Sequence, residues 1–273
     1  MNQGFHPINV VKVQPGSRAS STYLAATEEP LEIRLNGEPF VVTMRTPGDD
    51  INLAAGFLFS ERVIFGVDDL GAIEHLTRDA AVDSGNVVDA TLAGDAARRL
   101  PLLLEGRRRV TTNSSCGICG RRTIAAVLTD APAVTARWQV PTEFIGHLPA
   151  RLRDVQPVFD HTGGLHGAGL FSYDGTLELT AEDVGRHNAV DKVIGRMLFA
   201  RRLPLDHSIL VISGRAAYEI VQKAFLAGIP MIASVSAPST LAIDLARHAG
   251  ITLLGFVRDG CFNIYTHGDR VGA

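Results

Sequence analysis

The last third of the chain leaves the least freedom. HSILVIS (207–213), PMIASVS (230–236) and ITLLGFV (251–257) are short apolar runs rich in β-branched residues, and two segments of helical periodicity separate them. In GRAAYEIVQKAFLAG the residues Ala217, Ile220, Val221, Ala224 and Phe225 share one helical face, and Gly228-Ile229-Pro230 stops the helix. In STLAIDLARHAG either Ser239 or Thr240 caps the start and Gly250 the end. This alternation predicts β-α-β-α-β, a parallel sheet buried on both faces by helices.

The segment TAEDVGRHNAVDKVIGRMLFARR precedes it. Its Thr180-to-Asp183 spacing suits a capping box, and Val190, Val193, Ile194, Met197 and Leu198 form an apolar stripe. Further upstream, LEIRLNGEPFVVTMRT alternates about Asn36-Gly37, a hairpin signal. PGDDINLAAGFLFSER reads as a short helix with acidic residues at its start, and NVVDATL and RRRVTTN read as strands. The expected organisation is a flexible tail over residues 1–28, a small α+β unit over 29–106 and an α/β domain over 107–273.

Composition narrows the function. With 26 basic against 29 acidic residues, the net charge of -3 gives no global attraction to nucleic acid or an anionic membrane, so any anion site must be local. No run approaches the roughly 18 apolar residues of a spanning helix, and the N-terminus lacks the basic and apolar blocks of a secretory signal. Three cysteines, an odd number, fit a reducing compartment better than a disulfide framework. These features predict a soluble cytoplasmic protein.

Two of those cysteines, Cys116 and Cys119, lie in TNSSCGICGRRT (111–122). A closed zinc site needs four ligands, and the pair supplies two; the H-x-E segment that accompanies P-C-x-x-C in zinc deaminases is missing, and Ser115 precedes the pair. A thioredoxin-like exchange pair and a buried pair acting as small hydrophobes are the other readings. Flanking glycines keep the sulfurs accessible, while Arg107, Arg108, Arg109, Arg121 and Arg122, with the start of a following helix, favour thiolate over thiol. The residues therefore describe a reactive, electropositive thiol pair without naming its cargo.

Several long blocks resemble one family. SSCGICG, EDVGRHNAVDKVIG, the stretch from SGRAAYEIVQ to LLGFVR, the closing YTHGDR and the early GFLFSERVI resemble the formate dehydrogenase accessory sulfurtransferase (FdhD) family, in order and over about residues 25–270. The resemblance implies a homodimer with a cytidine deaminase-like core that lacks that fold's zinc. It implies sulfur transfer from a cysteine desulfurase to the molybdenum cofactor of formate dehydrogenase, in its bis(molybdopterin guanine dinucleotide) form. In that role Cys116 would carry the persulfide and Cys119 would assist.

The resemblance also implies a guanine nucleotide site in FVRDGC, comprising Phe256, Val257, Arg258, Asp259, Gly260 and Cys261. The chemistry fits: Arg258 can pair with phosphate or stack on a base, and Gly260 admits a close backbone approach. Read without the resemblance, Asp259-Gly260 is a tight hairpin turn. Cys261 departs from relatives that carry a basic residue there. Two further clusters suit an anion: Asp183, Arg186, His187, Asp191 and Lys192 at a helix start, and Ser213, Gly214 and Arg215 at a strand-to-helix turn. A capped helix with a satisfied histidine is the alternative for the first.

Overall fold

The computed structural model describes residues 4–76, 85–108 and 131–272. In chain order the elements are β1 (Phe5–Gln14), β2 (Ser17–Ala26), β3 (Glu29–Leu35), β4 (Glu38–Arg45), α1 (Asp50–Ser60), β5 (Leu70–His75), β6 (Val87–Leu92) and α2 (Gly94–Arg108). After residue 130 follow β7 (Val140–Pro141), α3 (Thr142–Arg153), α4 (Pro157–Thr162), β8 (His166–Ser172), β9 (Leu177–Asp183), α5 (Arg186–Phe199) and β10 (Ser208–Ile212). The chain closes with α6 (Tyr218–Leu226), β11 (Met231–Ser234), α7 (Thr240–Ala249), β12 (Thr252–Arg258), β13 (Cys261–Thr266) and β14 (Val271–Gly272).

The three apolar runs are β10, β11 and β12, parallel and adjacent as expected. They form the middle of a larger mixed sheet of order β13-β12-β11-β10-β8-β9, because β8 and β13 pair antiparallel at the two flanks. Alternation explains the continuous apolar runs. Ile209 and Val211 point to the face covered by Ile145, Leu148 and Leu152 of α3, whereas Leu210 and Ile212 point to the face covered by α5, α6 and α7. Ser239 caps α7 by accepting from the Ala242 amide, and Gly250 ends it at φ 76°.

A four-stranded sheet of order β4-β3-β6-β5 contains the expected hairpin, with Asn36 and Gly37 both left-handed at φ 52° and 83°. Leu31, Ile33 and Leu35 of β3 share a continuous apolar core with α1 and α5. Arg45, almost wholly buried, joins this sheet to α1 by donating to both carboxylate oxygens of Asp50 and to Asn86.

Three local expectations differ from the structure. The sequence predicts a tail over residues 1–28, yet β1 and β2, ten residues each, pair as an antiparallel hairpin turned by Pro15 and Gly16. RRRVTTN was expected as a strand, but Arg107 and Arg108 end α2, which continues across residue 106; residues 109–113 lie outside the described part. Thr180 and Asp183 belong to β9 rather than to a helix cap, and Gly185 takes the N-cap position of α5.

Candidate functional site

The carboxyl ends of β10, β11 and β12 open on a cavity of about 690 Å³. Parallel strands that alternate with helices place their loops at one edge of the sheet, and a crevice forms there. Ser213, Val235, Val257 and Arg258 line its floor, and α3 and the segment from Gln156 to His166 form its walls. Gln156 is buried, and its Nε2 has no partner among the described residues.

The FVRDGC segment reaches this cavity through Val257, Arg258 and Asp259. Phe256, Arg258, Asp259 and Cys261 also line a smaller cavity of about 310 Å³ with Phe262 and Asn263, so Arg258 and Asp259 stand between the two spaces. The segment is a hairpin turn, with Asp259 and Gly260 left-handed at φ 51° and 79° and Arg258 paired to Cys261. Phe256 is left-handed at φ 55° and exposed, at a register shift in the β12-β13 pairing. The Arg258 side chain makes no hydrogen bond or ion pair among the described residues, and Cys261 is an exposed thiol.

Gly146 of α3 holds this turn in place. A Cβ on Gly146 would lie 2.5 Å from the Cα of Gly260, so the helix and the turn touch backbone to backbone. That requirement was invisible in the sequence, where Gly146 is one glycine among 27.

The polar cluster around α5 divides in two. Asp183, fully buried, accepts from the Thr46 and Gly185 amides and from Asn188, and pairs with Lys192 at 2.7 Å. Asp191 accepts from Lys223 at 2.7 and 2.8 Å and from the Ser60 hydroxyl at 2.9 Å. These carboxylates are saturated and tie α5 to α1, α6 and the end of β4. Arg186 and His187 are different: the Arg186 Nε and the His187 Nε2 are buried without a hydrogen-bond partner among the described residues. Among the described residues, the nearest anion to His187 is Glu219, at 3.8 Å.

Burial, then the Lys223 ammonium and the Arg186 guanidinium, push the His187 pKa down to about 4 against the opposing pull of Glu219. His166, on the cavity wall, is lowered by burial and then by Arg186, with Asp183 opposing. Both shifts favour the neutral form of the ring.

At the end of β10 the Ser213 hydroxyl accepts from the Gly167 amide at 2.8 Å, and the Ser213 amide donates back to the Gly167 carbonyl at 3.0 Å. Ser213 thus stitches β10 to β8 while facing the cavity. Arg215 is exposed. Cys116 and Cys119 lie outside the described residues.

Sequence reasoning missed Gln156 and His166, which approach the FVRDGC turn only because β8 pairs antiparallel with β10. The GGLHG stretch (163–167) was their available signal: glycines beside a histidine just ahead of a strand.

Residues 26–272 match the model of the FdhD/NarQ family. The chain is 50% identical to the sulfur carrier protein FdhD of Streptomyces coelicolor, over 96% of this chain and 94% of that protein. It is 43% identical to the protein of the same name from Sulfurisphaera tokodaii, over 97% and 98%. Among solved structures, it superposes with a TM-score of 0.77 and 26% identity on a Desulfotalea psychrophila protein provisionally assigned as a formate dehydrogenase accessory protein. That match covers 99% of this chain and 100% of the other.

Proposed function

The chain belongs to the FdhD/NarQ family, and on that premise we propose that it is a sulfur carrier for the maturation of formate dehydrogenase. The observation that carries this reading is the 50% identity, over nearly the whole length, to a protein named as a sulfur carrier. The finer reading is that sulfur arrives from a cysteine desulfurase and leaves for the molybdenum cofactor, bis(molybdopterin guanine dinucleotide), which is cargo and substrate. The carrier is a cytoplasmic homodimer in this reading, with no nucleic acid or membrane as partner.

The chemistry proceeds by thiolate exchange. The Cys116 thiolate attacks the outer sulfur of the desulfurase persulfide; that S–S bond breaks, the desulfurase cysteine leaves as thiolate, and Cys116 holds the persulfide. At the cofactor, the Cys119 thiolate attacks the Cys116 Sγ, forming a Cys116-Cys119 disulfide and expelling the terminal sulfur as sulfide. A dithiol reductant then restores both thiols.

The nucleotide end of the cofactor occupies the cavity at the strand ends. Arg258 has no partner among the described residues and can pair with phosphate, with Phe256, Val257, Asp259, Gly260 and Cys261 completing the turn. The strand order β9-β8-β10-β11-β12, with β8 running against its neighbours, supports a deaminase-like core.

Replacing Cys116 by Ala tests the reading against a chaperone that only holds the cofactor. A sulfur carrier loses activation of the client enzyme while still binding guanine nucleotide. Activation at near-normal level by C116A contradicts sulfur transfer through this thiol.

A further inference from the structure

A half-buried arginine without an anion is costly, because desolvating the guanidinium is repaid only by a partner. The Arg186 side chain makes no ion pair and no hydrogen bond among the described residues, and its Nε is fully buried. The carboxylates near it are already engaged: Asp183 by Lys192 and Asn188, and Asp191 by Lys223 and Ser60.

Three other features converge beside Arg186. Helix α5 spans 14 residues and starts on Gly185, which supplies no side-chain cap; the Asp183 carboxylate takes the Gly185 amide, and the Arg186 and His187 amides that follow have no hydrogen-bond partner among the described residues. The His187 ring, on a residue only 8% exposed, leaves Nε2 unpartnered. Gly214 separates Arg186 from the cavity wall: a Cβ there would lie 3.3 Å from the His166 Nδ1 and 3.5 Å from the Arg186 Cδ. His166 in turn lines the cavity that Arg258 lines from the strand end.

We propose that Arg186, together with His166, His187 and the open start of α5, is a subsite for a phosphoryl anion, distinct from the Phe256–Cys261 turn. The planar fork of Arg186 suits two oxygens of one phosphate, and the His187 Nε2 can donate to a third, against the Glu219 carboxylate 3.8 Å away. Its occupant is a phosphate or pyrophosphate group, free or carried on a nucleotide; only the nucleotide source rests on the reading given above.

Calorimetric titration of the full chain with inorganic pyrophosphate, guanosine and GDP tests the subsite, using the wild type, Arg186→Gln and Arg186→Lys. The wild type binds pyrophosphate, and binds GDP more tightly than guanosine. Arg186→Gln weakens pyrophosphate and GDP by about tenfold or more, as expected for losing a charge-assisted forked contact, and leaves guanosine unchanged. Arg186→Lys, which keeps the charge and loses the fork, falls between them and serves in place of the Gln variant if that variant does not fold. GDP no tighter than pyrophosphate, with both dependent on Arg186, upholds the subsite for free phosphate and overturns the nucleotide reading. Pyrophosphate and GDP affinities unaffected by either substitution, or no binding of either ligand by the wild type, overturn the subsite.

Discussion

Gly195 of α5 lies against the backbone carbonyl of Asn52 in α1, so close that a Cβ on the glycine would come within 1.9 Å of that oxygen. The contact is reciprocated by Gly56 of α1, whose Cβ would sit 1.9 Å from the Asp191 carbonyl. Two small residues let the helices cross backbone to backbone, and this crossing joins the four-stranded sheet to the six-stranded one. Replacing Gly195 by Ala gains about 1 kcal/mol of helix propensity but forces the helices apart. We expect a net loss of more than about 2 kcal/mol in urea unfolding, as overpacking of a rigid contact costs. Unchanged stability would show that α1 and α5 separate freely.

The same crossing carries the Asp191–Lys223 pair, both residues buried and 2.7 Å apart. Lys223→Met strands a carboxylate in the interior and should cost about 3–5 kcal/mol. The double variant Asp191→Asn with Lys223→Met should recover part of that loss, because no charge is then left unpaired. Additive losses in the double-mutant cycle would contradict a direct coupling.

The lowered pKa of His187 predicts a stability that falls in acid. Its folded pKa of about 4 lies below the ordinary 6.5, so between those values the unfolded chain binds a proton that the native state refuses. Its contribution is present above pH 6.5 and is lost as pH falls toward 4, at up to about 1.4 kcal/mol per pH unit for one proton. His166, lowered in the same direction, adds to the slope. Urea unfolding at several pH values in that window should show a flatter profile for His187→Gln than for the wild type; identical slopes would remove His187 from the account.

Much of the fold was legible because particular residues leave little choice. Ile209 to Ile212 are buried on both faces, and a run with no polar alternation between two segments of helical periodicity has few homes outside a parallel sheet. Asn36-Gly37 fixed its turn through the φ values that only such residues take easily. The β1-β2 hairpin escaped because Ile8, Val13 and Tyr23 are exposed, so no buried face marks its alternation, and Pro15-Gly16 was its one strong signal. In FVRDGC the tight turn at Asp259-Gly260 was legible from the residues, whereas a nucleotide site there came only from the family resemblance. Gln156, His166 and the Gly146 contact were not legible, because they depend on which elements meet across the crevice. Within DVGRHNAVDK the residue types could not say which charges were spent on each other: Asp183 with Lys192 is structural, and Arg186 is left over.

Substitution of Arg258 tests whether nucleotide binding and sulfur loading are separate. Arg258→Ala should weaken guanine nucleotide binding by roughly tenfold, the loss of one charge-assisted contact, and leave desulfurase-dependent loading of Cys116 intact. A parallel fall in both would make the turn a structural element.

The central claim is that Cys116 carries sulfur, and mass measurement tests it most directly. The protein is incubated with a cysteine desulfurase and cysteine, and the tryptic peptide containing Cys116 is weighed with and without a thiol reductant. The account predicts a gain of one sulfur atom on that peptide, lost on reduction. No gain on either Cys116 or Cys119 would contradict it.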